Sequence, residues 1–469
     1  MYHLVRRARH LLGIIWEPKK ANSLRQRFAS GASWSLVSSV VARGMGLVAT
    51  IIVARLLGVA GFGELGLIRS TVLTLGVLTG YGIGLTTTKY VAELQYSDSG
   101  RAGRIISLTL LTTFSLSLAA TVLMWVGASW IADYLNFEVS TAAELRLSGL
   151  LLVASATWSV LQAALMGFQS FRELALNNII YGIITIILSI LLTFTMGISG
   201  SILALSISAM VGAFLAGREV LNLCRERSIP LGIHFQSADL GILWKFGLPA
   251  YFSGIVVMPV TWWAYSRIAA LQGGNVEMGL FNAADQWRTL ILFVPQALSA
   301  VVLPMLTDAY AKHNVREYRR VLLINLLIVS VLGVFILMLI YSLRQLILGA
   351  YGRDFVNATG VLIILAVTGV VQSIGTIIGQ SVYSLDKMRW AIIQNAAWAA
   401  AIVFGIKYVF DLSAMGLACS ILMAYVVMTM ISFAFVYVYV IRDKEGAMTV
   451  GFDRNKSSEV ISEVGGDNL

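Results

Sequence analysis

Long apolar runs alternate with short polar connections along most of the chain. A helix needs about 20 predominantly apolar residues to cross the ~30 Å hydrocarbon core of a membrane. The pattern therefore predicts an all-α fold with twelve membrane-spanning helices. The candidate spans lie at residues 31–54, 64–88, 105–127, 145–169, 174–196, 198–217, 246–270, 278–305, 321–343, 357–383, 388–407 and 413–440.

Composition points to the same class of protein. The 469 residues are 58% hydrophobic and 12% charged, and their mean hydropathy is +0.81. A soluble core of this size cannot bury so much apolar surface, so the chain is predicted to be a polytopic membrane protein. Cys224 and Cys419 lie far apart in the predicted topology. They indicate neither a disulfide framework nor a thiolate metal site.

Basic residues mark one side of the predicted topology. Lys and Arg concentrate in the connections on the side that both termini share, which places that side in the cytoplasm. The first thirty residues hold seven Lys or Arg, and their apolar run "LLGIIW" is too short for a signal sequence. We expect a cytoplasmic basic arm there. The opposite loops are short, which leaves no room for an extracytoplasmic catalytic domain.

Three matches at a spacing of 212 or 213 residues indicate an internal repeat. "LLLVA" at 150–154 aligns with "LIILA" at 362–366, Gly167 with Gly379, and "ELGLI" from Glu64 with "EMGLF" from Glu277. Six helices in each half would give a parallel repeat with a central cleft, suited to alternating access. The predicted parts are a basic arm at 1–30, an N-lobe at 31–222, a cytoplasmic linker at 223–244, a C-lobe at 245–441 and a cytoplasmic tail at 442–469.

Arg43 lies deep in the first predicted helix, about twelve residues or ~18 Å from its start. It belongs to a stripe of polar or small residues, Ser35, Ser39, Arg43, Gly46 and Thr50, on one helical face. A charge that faces lipid costs ~3 kcal/mol on insertion scales. We therefore expect this stripe to face a water-filled cavity. The alternative is small-residue helix packing with a snorkelling arginine.

The other charges in the predicted spans are mainly positive. Arg69 lies early in the second helix, Arg267 late in the seventh and Arg288 in the eighth, and Asp285 is the only acidic residue predicted well inside a helix. Asp285 and Arg288 are three residues apart and are expected to pair. The remaining positive excess favours an anionic substrate such as phosphate or diphosphate. Arg69 and Arg267 also stand where interfacial anchors would, so both interpretations stay open.

Aromatic and amide side chains suggest a path for sugars. Trp263 lies four residues before Arg267 on the seventh predicted helix, and Trp262 precedes it. An aromatic face can stack on a sugar ring, although paired tryptophans also form interfacial belts. Gln162 and Gln372 lie in the fourth and tenth helices, where amides either join neighbouring helices or line a sugar path.

Several motifs resemble those of a known family. "ARLLGVAGFGELGL" from Ala54 to Leu67, "EMGLFNAAD" after the seventh helix, "VVLPML" in the eighth and "YGRDFVNA" before the tenth look like the polysaccharide-export branch of the MOP flippase superfamily, which includes Wzx-type flippases. The resemblance covers residues 30–440 and is specific to the branch, not to a substrate. It implies two six-helix lobes that move an oligosaccharide on undecaprenyl diphosphate across the bacterial inner membrane by alternating access.

The lipid II flippases, more distant relatives, permit a comparison residue by residue. Their first helix carries a motif like S-R-x-L-G-x-x-R-D-x-x-x-A-R-x-x-G, whose first arginine falls on Arg43 and whose last falls on Arg55. A family acidic residue falls on Glu64, and the aspartate of an A-D-R motif falls on Asp285. The resemblance therefore implies that Arg43, Glu64 and Asp285 serve the substrate.

The chain also departs from the lipid II motifs. The middle arginine and the aspartate of the first motif are Ala49 and Thr50, and the arginine of A-D-R is Gln286, with the next basic residue at Arg288. The diphosphate geometry of those relatives therefore does not carry over directly. The full substrate-binding prediction comprises Arg43, Arg69, Arg267, Arg288, Asp285, Trp263 and Glu64.

Other functional classes fit the sequence less well. A cation-coupled multidrug or small-molecule antiporter of the same superfamily is the main alternative, although it would normally use carboxylates deep in a lobe. A membrane glycosyltransferase, polymerase or ligase would need catalytic groups on a substantial loop. The spacing of "DSGRAGR" fails the major-facilitator signature, and no G-x-x-x-x-G-K-[ST] motif occurs. The prediction is therefore a transporter and not an enzyme.

No cofactor and no metal site are predicted, and coupling to H⁺ or Na⁺ stays open. The expected partners are the undecaprenyl-diphosphate glycan and membrane lipid, together with a glycan polymerase and glycosyltransferases in the cell. Nucleic acid is not an expected partner.

Overall fold

The computed structural model describes residues 24–134, 139–232, 239, 241, 256–312, 314–385 and 387–441. Regular structure in these residues is helical throughout, which confirms the predicted all-α class. Most of the predicted basic arm, much of the linker, the start of the predicted seventh helix and the predicted tail lie outside the described residues.

The chain divides into two compact units, Met1–Ala283 with Gly349–Phe355, and Ala284–Leu348 with Val356–Leu469. The first unit holds α1 (Leu24–Leu94), α2 (Ser99–Tyr134), α3 (Val139–Gly167), α4 (Phe171–Glu226), α5 (Val257–Ala269) and the start of α6 (Gly274–Ile291). The second unit holds α7 (Phe293–Ala311), most of α8 (Val315–Tyr351), α9 (Thr359–Ser384), α10 (Met388–Phe404) and α11 (Ala414–Val436). The division into lobes at 31–222 and 245–441 stays a prediction.

α1 and α4 each fold back at one glycine. Gly58 has φ 69° and Gly197 has φ 57°, in the left-handed region that side chains disfavour. Ala42 and Arg69 of α1 line the same cavity, although 27 residues of straight helix would separate them by ~40 Å. α1 therefore consists of two arms, 24–57 and 59–94, and α4 likewise of two arms, 171–196 and 198–226.

These turns test the predicted helix boundaries. The predicted break between residues 196 and 198 is confirmed by Gly197. The predicted nine-residue connection at 55–63 is wrong, because every residue there except Gly58 is helical. The predicted single helix at 278–305 is also wrong, because α6 ends at Ile291 and α7 begins at Phe293. Pro295 explains this break, because it has no N–H to donate to the carbonyl of Ile291 four residues earlier and its ring crowds that carbonyl.

Eight helical segments among the described residues are long and apolar enough to cross a membrane. Two of them, Val40–Val77 and Phe171–Glu226, contain the left-handed glycines. The chain is therefore a multi-pass membrane protein, and the count of twelve spans stays a prediction. α8 shows how the outer surface meets lipid: Leu323, Leu327 and Val331 recur every four residues and are all exposed.

Glycines permit a close approach of α6 to the second arm of α1. A Cβ atom at Gly63 would overlap the carbonyl of Asn275, and one at Gly66 would overlap the amide of Asn282. A Cβ at Gly279 would in turn overlap the carbonyl of Val59. The two backbones are therefore in direct contact, which fixes the second arm of α1 and the residues it carries.

Candidate functional site

A cavity of about 150 Å³ lies inside the first unit, between both arms of α1, α3 and both arms of α4. Its polar lining includes Thr50, Thr185, Ser189 and Ser201. Arg69 is the only charged side chain among the described residues that line it. The cavity therefore offers one fixed positive charge among hydroxyl groups and apolar walls.

Small residues create this space along the first arm of α1. Ala42, Gly46, Ala49 and Thr50 face the cavity at helical spacing. On the opposite wall, Gly182 lets α4 approach, because a Cβ there would lie 2.8 Å from the sulfur of Met45. The stripe predicted from the sequence is thus partly confirmed, since Gly46 and Thr50 do line a cavity.

Arg43 stands one turn before Gly46 on the same face of the first arm and is half-buried. It is not itself among the residues that line the cavity. The prediction that Arg43 faces a cavity is therefore supported by its neighbours along the stripe but not by its own position. The side chains of Ser35 and Ser39 lie outside the described residues.

Arg69 is half-buried on the second arm of α1 and projects into the cavity. None of the hydrogen bonds or ion pairs among the described residues involves its guanidinium. The one titratable group that interacts with it is Tyr181, a phenol that carries no charge near neutral pH. The charge of Arg69 is therefore not balanced by any described side chain.

An aromatic and amide wall closes the α3 side of the cavity. Trp158 stacks on Tyr181 with ring centroids 4.1 Å apart, and its Nε1 donates to Asn177 Oδ1 at 2.9 Å. Gln162 Nε2 donates to Asn178 Oδ1 at 2.8 Å. Gln162 thus joins two helices, which confirms that part of the sequence interpretation.

Glu64 belongs to a polar cluster near the start of the second arm of α1. It accepts a hydrogen bond from Thr141 and interacts with the carboxyl of Glu144. Ser199 in turn donates to Glu144 Oε1 at 3.3 Å. Helix α3 begins at Val139, six residues earlier than predicted, and so includes Glu144. The prediction that Asp285 is the only acidic residue well inside a helix is therefore wrong.

Asp285 and Arg288 form the predicted pair within the second unit. Arg288 Nε lies 2.6 Å from Asp285 Oδ1, and the two side chains are only 12% and 18% exposed. Arg288 Nη1 also donates to Gln372 Oε1 at 2.6 Å, and Gln372 Nε2 donates to Tyr425 OH at 2.9 Å. We call these four residues the Arg288 network. Its guanidinium is already bound by protein groups on two sides.

The predicted groups on α5 have different surroundings. Arg267 is exposed, and no hydrogen bond or ion pair among the described residues involves it. Trp263 is half-buried, whereas Trp262 is fixed, because its Nε1 donates to Thr71 Oγ1 on α1 at 2.8 Å. Of the two tryptophans, Trp262 thus has the structural role, and Trp263 keeps a ring that is not committed to a described hydrogen bond.

Arg55, which the resemblance also singled out, caps a helix end. Its Nε donates to the carbonyl of Ala350 at 2.6 Å and its Nη2 to that of Gly349 at 3.2 Å. The carbonyls at the end of α8 have no intrahelical partner, so a guanidinium there satisfies them. Nearby, the ring centroids of Phe62 and Phe355 lie 6.0 Å apart. These contacts hold Gly349–Phe355 on the first unit.

Sequence comparisons give close agreement on the kind of protein. The sequence model of a family described as "Polysaccharide biosynthesis protein" matches residues 28–310, more than half of the chain. The EPS I polysaccharide export inner membrane protein EpsE of Ralstonia nicotianae is 25% identical over 407 residues, which are 85% of this chain and 91% of EpsE. The lipid III flippase of Escherichia coli (strain K12) is 26% identical over 292 residues, 61% of this chain and 69% of the flippase.

A comparison with solved structures gives the fold. A structure described as the inward-facing conformation of a multidrug resistance MATE family transporter of the MOP superfamily matches with a TM-score of 0.74. The matched region covers 88% of this chain and 100% of the transporter chain, at 15% sequence identity. At that identity the likeness shows a shared transporter fold and not a shared substrate.

Proposed function

Because the chain belongs to the polysaccharide biosynthesis protein family, in the polysaccharide-export branch of the MOP superfamily, we propose that it is a flippase for undecaprenyl-diphosphate-linked oligosaccharide. The lipid-linked repeat unit of a surface polysaccharide would cross the bacterial inner membrane through it by alternating access. The relatives named for polysaccharide export and for lipid III flipping support this substrate class.

The observation that carries the proposal is the sign of the charge inside the first unit. The cavity there has an arginine and no acidic residue among its described lining, and Arg43 stands one turn from it on the same helical stripe. Fixed positive charge in a region of low dielectric favours an anionic group and penalises a cation. This polarity argues against the cationic drugs of the multidrug alternative, and Arg43, one turn outside the cavity, adds a positive charge that a diphosphate headgroup would favour.

Arg43 is the residue we propose for direct binding of the diphosphate. A guanidinium offers planar paired donors that match phosphate oxygens, which a lysine cannot reproduce. Arg267 and Trp263 on α5 are proposed as secondary contacts, the latter with a sugar ring. Arg288 is a weaker candidate than the sequence suggested, because its Nε and Nη1 already donate to Asp285 and Gln372. Asp285 and Glu64 are proposed to act indirectly.

The proposal is tested by glycan export in cells at matched protein abundance. A charge-assisted hydrogen bond is worth ~1.5–3 kcal/mol, so Arg43→Ala should lower export roughly 10- to 100-fold. Arg43→Lys should retain part of the activity, because it keeps the charge and loses the paired geometry. Arg218→Ala, at an exposed arginine near the end of α4, serves as the control and should export normally. Normal export by Arg43→Ala would refute the assigned role of Arg43.

A purified-protein assay tests the function itself. Proteoliposomes that contain the protein should translocate a defined undecaprenyl-diphosphate oligosaccharide, and protein-free vesicles should not. Failure with every lipid-linked glycan offered, together with efflux of a cationic drug, would favour the antiporter alternative.

The location and cellular partners follow as parts of the same proposal. Both termini are proposed to be cytoplasmic because basic residues concentrate on their side of the predicted topology. Labelling of a cysteine placed at Ser457 by an impermeant reagent in intact cells would contradict this orientation. A glycan polymerase and glycosyltransferases are the proposed partners, and coupling to H⁺ or Na⁺ stays a prediction from the sequence.

A further inference from the structure

The unbalanced charge of Arg69 raises the question of what accompanies it. A guanidinium in a membrane-spanning helix is costly unless it is paired or faces water. The described residues around it supply no carboxylate, and Tyr181 is its one titratable neighbour there. Any counter-charge for Arg69 must therefore come from a group that is not one of the described residues.

The cavity has room for such a group. One water requires ~10–15 Å³ of this kind of volume, so about 150 Å³ holds an ion together with several waters. Ser189 lies on its wall and is only 1% exposed, and its hydroxyl makes no hydrogen bond with any described residue. Thr50 and Thr185 use their hydroxyl protons on carbonyls of their own helices. Ser189 thus has a proton available for an anion in the same cavity as Arg69.

The number of charges indicates the kind of anion. A lipid diphosphate carries about two negative charges, whereas the described lining carries a single positive charge. Burial of the surplus negative charge would be unfavourable. A monovalent anion balances Arg69 completely and leaves the pair neutral.

We propose that the cavity inside the first unit binds one small monovalent inorganic anion, chloride in the cell, with Arg69 as the cationic ligand and Ser189 as a hydroxyl donor. This site is separate from the proposed diphosphate contact at Arg43 and does not depend on the identity of the transported lipid. Binding neutralises the interior of the first unit and so stabilises it.

The test uses the purified full chain in detergent, with sodium gluconate exchanged for sodium chloride at constant ionic strength. A ligand that binds only the folded state raises the melting temperature as its concentration passes the dissociation constant. We expect a saturable rise of a few degrees for the wild type and none for Arg69→Gln. Arg218→Gln removes the same charge from an exposed position outside the proposed binding residues and should respond like the wild type.

Two further measurements keep the test independent of whether Arg69→Gln folds. The ³⁵Cl resonance of a chloride solution should broaden in the presence of the wild-type protein, and excess bromide should reverse the broadening by competition. Ser189→Ala should weaken the chloride response several-fold, because it removes one of the two proposed ligands.

The proposal is overturned if the wild type shows no chloride response, or if Arg69→Gln responds as strongly as the wild type. A soluble short-chain prenyl diphosphate offers the other source of an anion. If it abolishes the chloride response at stoichiometric concentration, the cavity belongs to the substrate headgroup and the chloride assignment fails. The flippase proposal would survive that result, since glycan export tests it separately.

Discussion

Arg69 and Arg288 are two arginines of the helical interior that have opposite surroundings. Arg288 Nε lies 2.6 Å from Asp285 Oδ1 and its Nη1 lies 2.6 Å from Gln372 Oε1, so the charge of Arg288 is balanced within the second unit. Arg69 lines a cavity of the first unit and has no described hydrogen bond or ion pair. The sequence predicted a carboxylate partner for Arg288 in Asp285 and none for Arg69. Their availability to a ligand is decided by whether a carboxylate lies within reach.

The largest expected effect on stability comes from removing the carboxylate that balances the charge of Arg288. Asp285→Ala leaves a mostly buried guanidinium without its carboxylate, and loss of one partner of a buried ion pair costs ~3–5 kcal/mol. We expect a marked fall in the melting temperature of the purified protein. The double variant Asp285→Asn with Arg288→Gln removes both charges and should recover most of the loss. A double variant as unstable as Asp285→Ala would show that charge balance is not the cause.

A smaller effect is expected at the amide of the Arg288 network. Gln372→Leu removes a hydrogen bond from Arg288 and another to Tyr425. An unsatisfied buried polar group costs ~1–3 kcal/mol, so its melting temperature should fall less than that of Asp285→Ala. Gln380→Leu, two turns further along α9 and without a described hydrogen bond, is the matched control and should change little. Equal losses in the two variants would mean that the bonds to Arg288 and Tyr425 add no stability.

The smallest effect is expected at Arg69. In chloride-free gluconate buffer, Arg69→Gln removes a charge that no described residue balances, so stability should stay within about 0.5 kcal/mol of the wild type or rise slightly. Thermal unfolding in that buffer measures it directly. A loss as large as that of Asp285→Ala would show that Arg69 has a strong protein partner, and the contrast between the two arginines would be wrong.

Local spacing accounts for what the sequence predicted well. The all-α class followed from apolar run length, the break at Gly197 from the pattern of helices, and the Asp285–Arg288 pair from a separation of three residues. The hydrogen bond between Arg288 and Gln372 could not be predicted in this way, because the two residues lie 84 positions apart in the chain. The cavity around Arg69 is likewise formed by five helical segments, and no periodicity within one segment reveals it.

The exact ends of the helices were the other feature that the sequence did not predict well. Glu144 was overlooked because α3 begins before the apolar run that marked it. The connection predicted at 55–63 is instead helical on both sides of Gly58, so the turn takes a single residue. Arg43 was rightly associated with a polar stripe, whose cavity-lining members are Gly46 and Thr50.

The one-residue turn at Gly58 fixes the rotational position of each arm of α1 relative to the other. With no slack between them, one inserted residue would turn everything beyond it by about 100° around the helix axis. Arg69 would then leave its cavity and the glycines that contact α6 would face elsewhere. Tags, epitopes and length variation are therefore expected to be excluded from this corner of the molecule. A change in the length of this corner is therefore expected to disturb the structure more than a change in its composition.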